Sequence, residues 1–282
     1  MAYGGAGGQE VFSVILLAGD RASDSLAQMA PCNRKALLSI NGQPMILHVL
    51  NTLISTQSVG SIAVVVNRVR EISEHSSIRD WVSECDPSGR VCFLEGAGSP
   101  ASSVVAALES LSPEGSVLVT TADSPLLTPS TLEKFCRASL ALTDADVAVG
   151  LATEQDIRKA FPDARRTFIQ LKGGGYSGCN LFALMSGRAS RAAEIWQDVE
   201  GRRKRPWQLI SYFGYTTLFK ALLGRLDLQA AFKAVSRSMS LNVNAVVLDD
   251  PLAAMDVDRP EHILIADAVL SQGSGATALI GP

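Results

Sequence analysis

Apolar residues gather in short runs along the chain, and the stretches between the runs carry apolar positions at helical spacing. Val11–Leu17 (VFSVILL) is the first run, rich in Val, Ile and Leu and long enough for one buried strand. Similar runs follow at Ser61–Val66, Val91–Leu94, Ser116–Thr120, Asp146–Leu151 and Val243–Leu248. Behind Pro44, which suits a first helical turn, Met45, Ile46, Val49, Leu50 and Leu53 share one face. The same reasoning predicts helices over Glu71–Glu84, Ala101–Leu111, Ser130–Ala141 and Pro260–Leu270. A second short strand, Ala36–Ile40, precedes a turn at Asn41-Gly42. Strands alternating with helices over short connections predict an α/β fold of three layers, a mostly parallel, Rossmann-like sheet covered on both faces.

The middle of the chain is less regular. Thr167–Leu171 reads as a strand broken at Gly173-Gly174-Gly175 and resumed over Asn180–Met185. Arg188–Met239 reads as mainly helical and carries the basic cluster Arg202-Arg203-Lys204-Arg205. No internal repeat and no linker divides the sequence. The expectation is one domain over residues 11–270, with 188–239 a helical insertion and 1–10 and 271–282 flexible tails.

Composition narrows the class. The 282 residues suffice for a substantial core, and the 25 basic and 28 acidic residues leave a net charge of −3. Such a balance gives no overall basic field for nucleic acid or an anionic membrane surface. No apolar run approaches the ~18 residues that span a bilayer, and no basic region precedes Val11 as in a signal peptide. The five cysteines are odd in number and show no CxxC spacing, which fits thiols in a reducing cytoplasm better than a disulfide or zinc framework. A cytoplasmic protein without nucleic-acid or membrane partners is expected. The oligomeric state is not encoded in any feature of the sequence.

Candidate chemistry sits at strand ends. The first run stops at Ala18-Gly19, where small residues let backbone N–H groups approach a ligand, and a polar loop then reaches Arg34-Lys35. This arrangement fits a nucleotide-phosphate site, and equally an ordinary strand-to-helix loop. Asp123, in Thr121-Ala122-Asp123, ends an apolar strand, where a carboxylate can hold Mg²⁺ on a phosphorylated substrate; a turn or capping aspartate before Pro125 is the alternative. Asp256-Val257-Asp258 puts two carboxylates on one face if extended, or one of them caps the helix opened by Pro260. Tyr176-Ser177-Gly178-Cys179-Asn180 is either the lining of an acceptor pocket or simply a bulge or turn. Lys204 and Arg205 either reach phosphate groups or form part of a solvated helix face. His48 on an apolar helical face and Cys179 without a nearby histidine do not read as catalytic.

With these residues in place, the chain resembles nucleotidyltransferases of the glycosyltransferase-A-like fold, in the branch of the molybdenum cofactor guanylyl- and cytidylyltransferases (MobA-like NTP transferases). The motifs are Leu17-Ala18-Gly19-Asp20, Lys35, Gly42-Gln43-Pro44, the glycine loop Gly96–Gly98 with Ser103-Val104, Asp123 in Thr-Ala-Asp-Ser-Pro-Leu-Leu, and Asp256-Val257-Asp258-Arg259-Pro260. The resemblance implies a Mg²⁺-dependent enzyme that joins a nucleoside monophosphate, taken from a nucleoside triphosphate, to a phosphorylated small-molecule acceptor. It implies metal ligation by Asp123 and Asp258, and charge balance on the triphosphate by Lys35 and Arg21. Nucleotide binding falls to Leu17, Ala18, Gly19, Gly98 and Ser103, and acceptor binding to Tyr176, Ser177, Asn180, Lys204 and Arg205. Two departures stand out: Asp20 replaces the usual second glycine, and the loop from Gly19 to Lys35 is long. A glycosyltransferase sharing the fold would carry its metal motif mid-chain, earlier than Asp256-Val257-Asp258. A nucleotide-sensing protein without turnover is the other alternative, motivated by Asp20.

Overall fold

The computed structural model describes residues 11–20, 25–162, 166–187, 190–202 and 226–272. Its centre is the first apolar run, β1 (Phe12–Leu17). Phe12, Val14 and Leu16 point into one core and Ile15 into another, as the two-residue period of a strand requires. A two-stranded hairpin, β2 (Ser39–Ile40) and β3 (Gln43–Pro44), turns at Asn41-Gly42 and leads into α1 (Met45–Ser55). Then come β4 (Val59–Val66), α2 (Val69–Ser73), α3 (Ser76–Cys85), β5 (Val91–Glu95) and α4 (Pro100–Leu111). β6 (Val117–Thr121), α5 (Pro129–Leu140), β7 (Val147–Thr153) and α6 (Glu154–Ala160) continue the alternation. The antiparallel pair β8 (Ile169–Leu171) and β9 (Gly174–Leu184) is followed by α7 (Ser190–Arg202), α8 (Leu228–Met239), β10 (Val243–Leu248) and α9 (Pro260–Ser271).

The main sheet has eight strands in the order β10-β7-β9-β6-β1-β4-β5, with β8 paired to β9. All its pairings are parallel except those of β9, which runs antiparallel to β6, β7 and β8. One face packs on α1 and α5 through Ile46, Leu50, Leu132 and Phe135; the other packs Ile15, Val65 and Val119 with Val104 and Ala107 of α4. A third cluster joins Leu26, Leu38, Ile40 and Met45 to Met255 and Val257, so the loop before α1 is packed against the segment before α9. No helix among the described residues is long and apolar enough to cross a membrane.

Three elements differ from the expectation, each for a local reason. Lys35–Leu37 is a 3₁₀ turn rather than the start of a strand. Lys35, Ala36, Leu37 and Leu38 are all buried in succession, which a tight turn permits and the alternation of an edge strand does not. The helix expected over Glu71–Glu84 is two helices, because His75 is extended and caps the second. The three glycines do not end a strand pair but turn it. Gly173 and Gly174 have φ of +104° and +140°, and β9 then runs without interruption through Asn180. Of the expected insertion, residues 188–189 and 203–225 lie outside the described residues.

Candidate active site

The chain steps outward from β1 to β4 and β5, then returns to the far side of β1 as β6. This reversal leaves a crevice at the carboxyl ends of β1 and β6, where open α/β sheets take ligands. A cleft of about 600 Å³ opens there. Leu17, Ala18, Gly19 and Asp20 continue β1 into it, and Thr121, Ala122 and Asp123 continue β6. Two strand-end bonds fix this floor: Ala18 N donates to Val65 O at 2.8 Å and Ala122 N to Leu17 O at 2.8 Å.

On one wall stands the glycine loop before α4. Gly98 has φ +79°, Ser99 and Ser102 form a reciprocal cap on the helix, and Ser103 Oγ accepts from Ala97 N at 2.9 Å. Asn67, at the end of β4, is wedged between this loop and β1. A methyl group on Gly96 would come within 2.8 Å of Asn67 Oδ1, and one on Gly19 within 3.3 Å. The opposite wall is β9, where two extra residues between its pairings with Leu151 and Val149 make a bulge. Asn180 sits in that bulge with φ +51° and lines the cleft. Bulges re-aim side chains in this way beside functional sites. Gly150 opposite leaves little room, since a Cβ there would meet Leu181 Cβ at 3.0 Å. Phe182 and Trp196, stacked with ring centroids 5.9 Å apart, close the wall.

Charge is concentrated at the mouth. Lys35 Nζ donates to Asp258 Oδ1 at 2.7 Å and to Asp123 Oδ2 at 3.2 Å, and its side chain is only 10% exposed. Thr121 Oγ1 donates to Asp123 Oδ1 at 2.5 Å, and Val257 N donates to Asp123 O at 2.7 Å, tying the two acidic motifs together. Asp256 is paired with Arg166, which also reaches Ser177 Oγ at 3.4 Å. Burial works against the Lys35 ammonium, but Asp123 and Asp258 outweigh it and hold its pKa above the ordinary lysine value. Burial likewise works against the Asp258 carboxylate, yet Lys35 pulls its pKa below the usual range. For Asp256 burial wins: with Asp123 and Asp258 adding to it, the pKa is raised despite Arg166.

One carboxylate oxygen each from Asp123, Asp256 and Asp258 lies within 4.8 Å of the others. Opposed ligands on an octahedral magnesium ion are about 4 Å apart, so small side-chain rotations would let this set hold one. Hard oxygen donors of this kind fit the cation that the sequence implies.

Leu17, Ala18, Gly19, Lys35, Gly98 and Ser103 all line the cleft, as do Asp123 and Asp258. Neither aspartate caps a helix: the caps of α5 and α9 are Thr128 and Arg259. Of the residues expected on the acceptor side, Asn180 lines the cleft, Ser177 is buried against Arg166, and Tyr176 pairs across to Ile169 and Thr153 away from the lining. Arg21, Lys204 and Arg205 lie outside the described residues. Cys179 is buried and its thiol pushed up to about 12, and His48 is held between Gln43 and Ile40 O, so both are structural.

Asn67, Arg166, Trp196 and His262 were not legible as site residues. Asn67 follows an apolar strand as Asp123 does, and that position was its one signal. His262 Nδ1 accepts from Asp258 N at 3.3 Å, while its Nε2 is buried without a partner among the described residues.

Known proteins share this fold. A structure described as a hypothetical transferase from Thermus thermophilus is similar over 90% of this chain and 99% of its own, with a TM-score of 0.73 and 28% identity. Two more distant structures share the fold at 14% identity. A 4-diphosphocytidyl-2C-methyl-D-erythritol synthase from Anaerococcus prevotii covers 93% of this chain and 97% of its own, with a TM-score of 0.55. A CMP:2-keto-3-deoxy-manno-octonic acid synthetase covers 93% and 99%, with a TM-score of 0.57. In sequence, a 2-C-methyl-D-erythritol 4-phosphate cytidylyltransferase of Solibacter usitatus is 30% identical over 96 residues, 34% of this chain and 38% of that relative's length. The profile of the MobA-like NTP transferase domain matches residues 14–237. The chain thus belongs to the MobA-like NTP transferase family.

Proposed function

We propose that the cleft joins the nucleoside monophosphate of an NTP to a phosphorylated small-molecule acceptor in a Mg²⁺-dependent reaction. The carrying observation is the pairing of a buried lysine with two carboxylates at the point where the sheet reverses. In this reading an acceptor phosphate oxygen attacks the α-phosphorus, the bond to the β-phosphate oxygen breaks, and pyrophosphate leaves with the electron pair. The attacking oxygen is ionised at neutral pH, so no general base is required, and the rate rests on positioning and charge neutralisation.

Asp123 and Asp258 are the proposed metal ligands, with Asp256 held beside them by Arg166. When bound, the magnesium ion supplies positive charge to the reacting phosphates and to the leaving pyrophosphate. Lys35 exchanges its carboxylate partners for the triphosphate, and Arg21 is proposed to assist it. Backbone at Leu17, Ala18 and Gly19 approaches the phosphates, and Gly98 with Ser103 holds the base. Asn180, Lys204 and Arg205 are assigned to the acceptor, with Ser177 acting only through Arg166 and Tyr176, away from the lining, given no contact. Residues 11–270 are taken as the working unit, with 188–239 as an insertion.

CTP is the first triphosphate to test, since the Solibacter relative is described as a cytidylyltransferase and one fold neighbour as complexed with CTP. Running the reaction backwards avoids the need to know the acceptor. Labelled pyrophosphate and Mg²⁺ are incubated with a panel of CDP- and GDP-linked compounds. Labelled NTP from one class of compound is the expected result. Release of a nucleoside diphosphate without need of pyrophosphate would indicate a glycosyltransferase instead. Tight nucleotide binding with no labelled product from any compound would indicate a sensor.

A further inference from the structure

The residue that fits the family pattern least, Asp20, does not confront the phosphate site unshielded. Its side chain is only 9% exposed and faces the loop that carries the lysine. Oδ1 accepts from the backbone N of Lys35 at 2.8 Å, and Oδ2 lies 3.3 Å from Arg34 Nη1. Its own carbonyl accepts from Asn67 Nδ2 at 3.1 Å. Asp20 is not in the carboxylate group that could hold a metal, which among the described residues is Asp123, Asp256 and Asp258.

These bonds place Asp20 between the sheet and the loop that carries the lysine. On one side it is anchored to β1 by the chain and to β4 by Asn67. On the other it holds the two consecutive basic residues at the end of a long loop. Arg34 is tied in turn to Glu71 by Nε at 2.7 Å and Nη2 at 2.6 Å, and Glu71 to Arg68 at 3.0 Å. Burial opposes the charge on Arg34, but Glu71 and Asp20 outweigh it and raise its pKa, so the arm stays cationic. A glycine at position 20 could make none of the side-chain bonds.

We propose that Asp20 is a positioning residue: it clamps the Arg34-Lys35 backbone so that the Lys35 ammonium is presented to the triphosphate. Leu26 and Ala30 pack the loop into the core, and Asp20 adds the bond that sets the backbone at Lys35 itself. The inference rests on the proposed role of Lys35, and its test separates the two. The clamp predicts that Asp20→Gly, which restores the common family loop, weakens binding. Relief of charge repulsion would instead predict tightening.

The test combines hydrogen exchange at the Lys35 amide with titration of inorganic triphosphate in the presence of Mg²⁺. In Asp20→Gly the Lys35 amide should lose protection and triphosphate affinity should fall by about tenfold, the loss of one charge-assisted bond. Asp20→Asn keeps an oxygen for the Lys35 amide and loses the charge facing Arg34, so it should restore protection and part of the affinity. With the full reaction, KM for the nucleotide should rise more than kcat falls. Equal or tighter triphosphate binding by Asp20→Gly would overturn the proposal. If the parent binds no triphosphate, the role of Lys35 fails, and the exchange result alone decides the clamp: unchanged protection in Asp20→Gly would refute it.

Discussion

Carboxylates with defined partners occur at both ends of the sheet, and they are satisfied in different ways. At the amino ends, Asp86 precedes β5 and accepts from the backbone N of Arg90 at 2.9 Å and of Val91 at 2.8 Å. Asp146 precedes β7 and accepts from Asn242 N at 2.8 Å and Ser186 Oγ at 2.7 Å. At the carboxyl ends, Asp123, Asp256 and Asp258 are balanced by the side chains of Lys35 and Arg166. Backbone amides cannot leave without unfolding, whereas an ammonium on a flexible stem can swing away. The first arrangement fixes turns. The second leaves a charge cluster whose cation can be exchanged, as the proposed site for a metal-bound polyphosphate would require.

The comparison breaks most visibly if the two ends respond alike to truncation. Asp123→Ala should cost activity about 100- to 1000-fold, the scale of losing one electrostatic contact to the transition state, with the thermal midpoint nearly unchanged. Steady-state pyrophosphate release and a melting curve on the same preparation check both halves. Asp86→Ala should do the reverse. Stripping two partly buried backbone N–H groups of their acceptor should cost about 2–4 kcal/mol, read by urea denaturation, with little change in kcat. A catalytic loss in Asp86→Ala without lost stability would erase the distinction.

Lys35→Ala sharpens it with a sign. In the parent, Lys35 lowers the pKa of Asp258, so that pair adds stability above the unfolded carboxylate value, lost as pH falls through the folded one. Without the ammonium, the neighbouring carboxylates hold protons more tightly in the folded chain than in the unfolded one. The variant should then lose stability, relative to the parent, as pH rises from about 4 to 7. Mg²⁺ alone should bind it more tightly than it binds the parent, because no resident cation has to be displaced, although triphosphate affinity falls. Melting curves across that pH range, with and without Mg²⁺, would show either pattern. The smallest effect is expected for Arg166→Lys: retained charge with weaker hold on Ser177 should raise KM for the acceptor a few-fold and leave the nucleotide KM alone.

What was legible in the sequence follows from the same contrast. Strand ends are readable because an apolar run followed by Asp or Gly marks the edge of the sheet, and that signal located Gly19 and Asp123. The repeated strand–helix order likewise gave a parallel sheet. β9 was not legible as one strand, because its central bulge at Asn180 interrupts the alternation and its glycines resemble a break. Nor was the direction of Asp20 readable. Its family position put it beside the phosphates, and only the folded loop shows that its oxygens are already engaged by Lys35 and Arg34. Arg166 carried no signal, since it lies outside any helix or strand and meets Asp256 across 90 residues of sequence.

The central claim is that the carboxyl-end aspartates and Lys35 form an exchangeable site for a metal-bound nucleotide. Equilibrium titration of CTP and the other three triphosphates into the parent and Asp123→Ala, with Mg²⁺ and with EDTA, tests it most directly. At least one triphosphate should bind the parent about tenfold or more tightly with Mg²⁺ than without, a gap of one charge-assisted contact or more, and Asp123→Ala should lose that difference. Equal affinity of parent and variant in both conditions would contradict it.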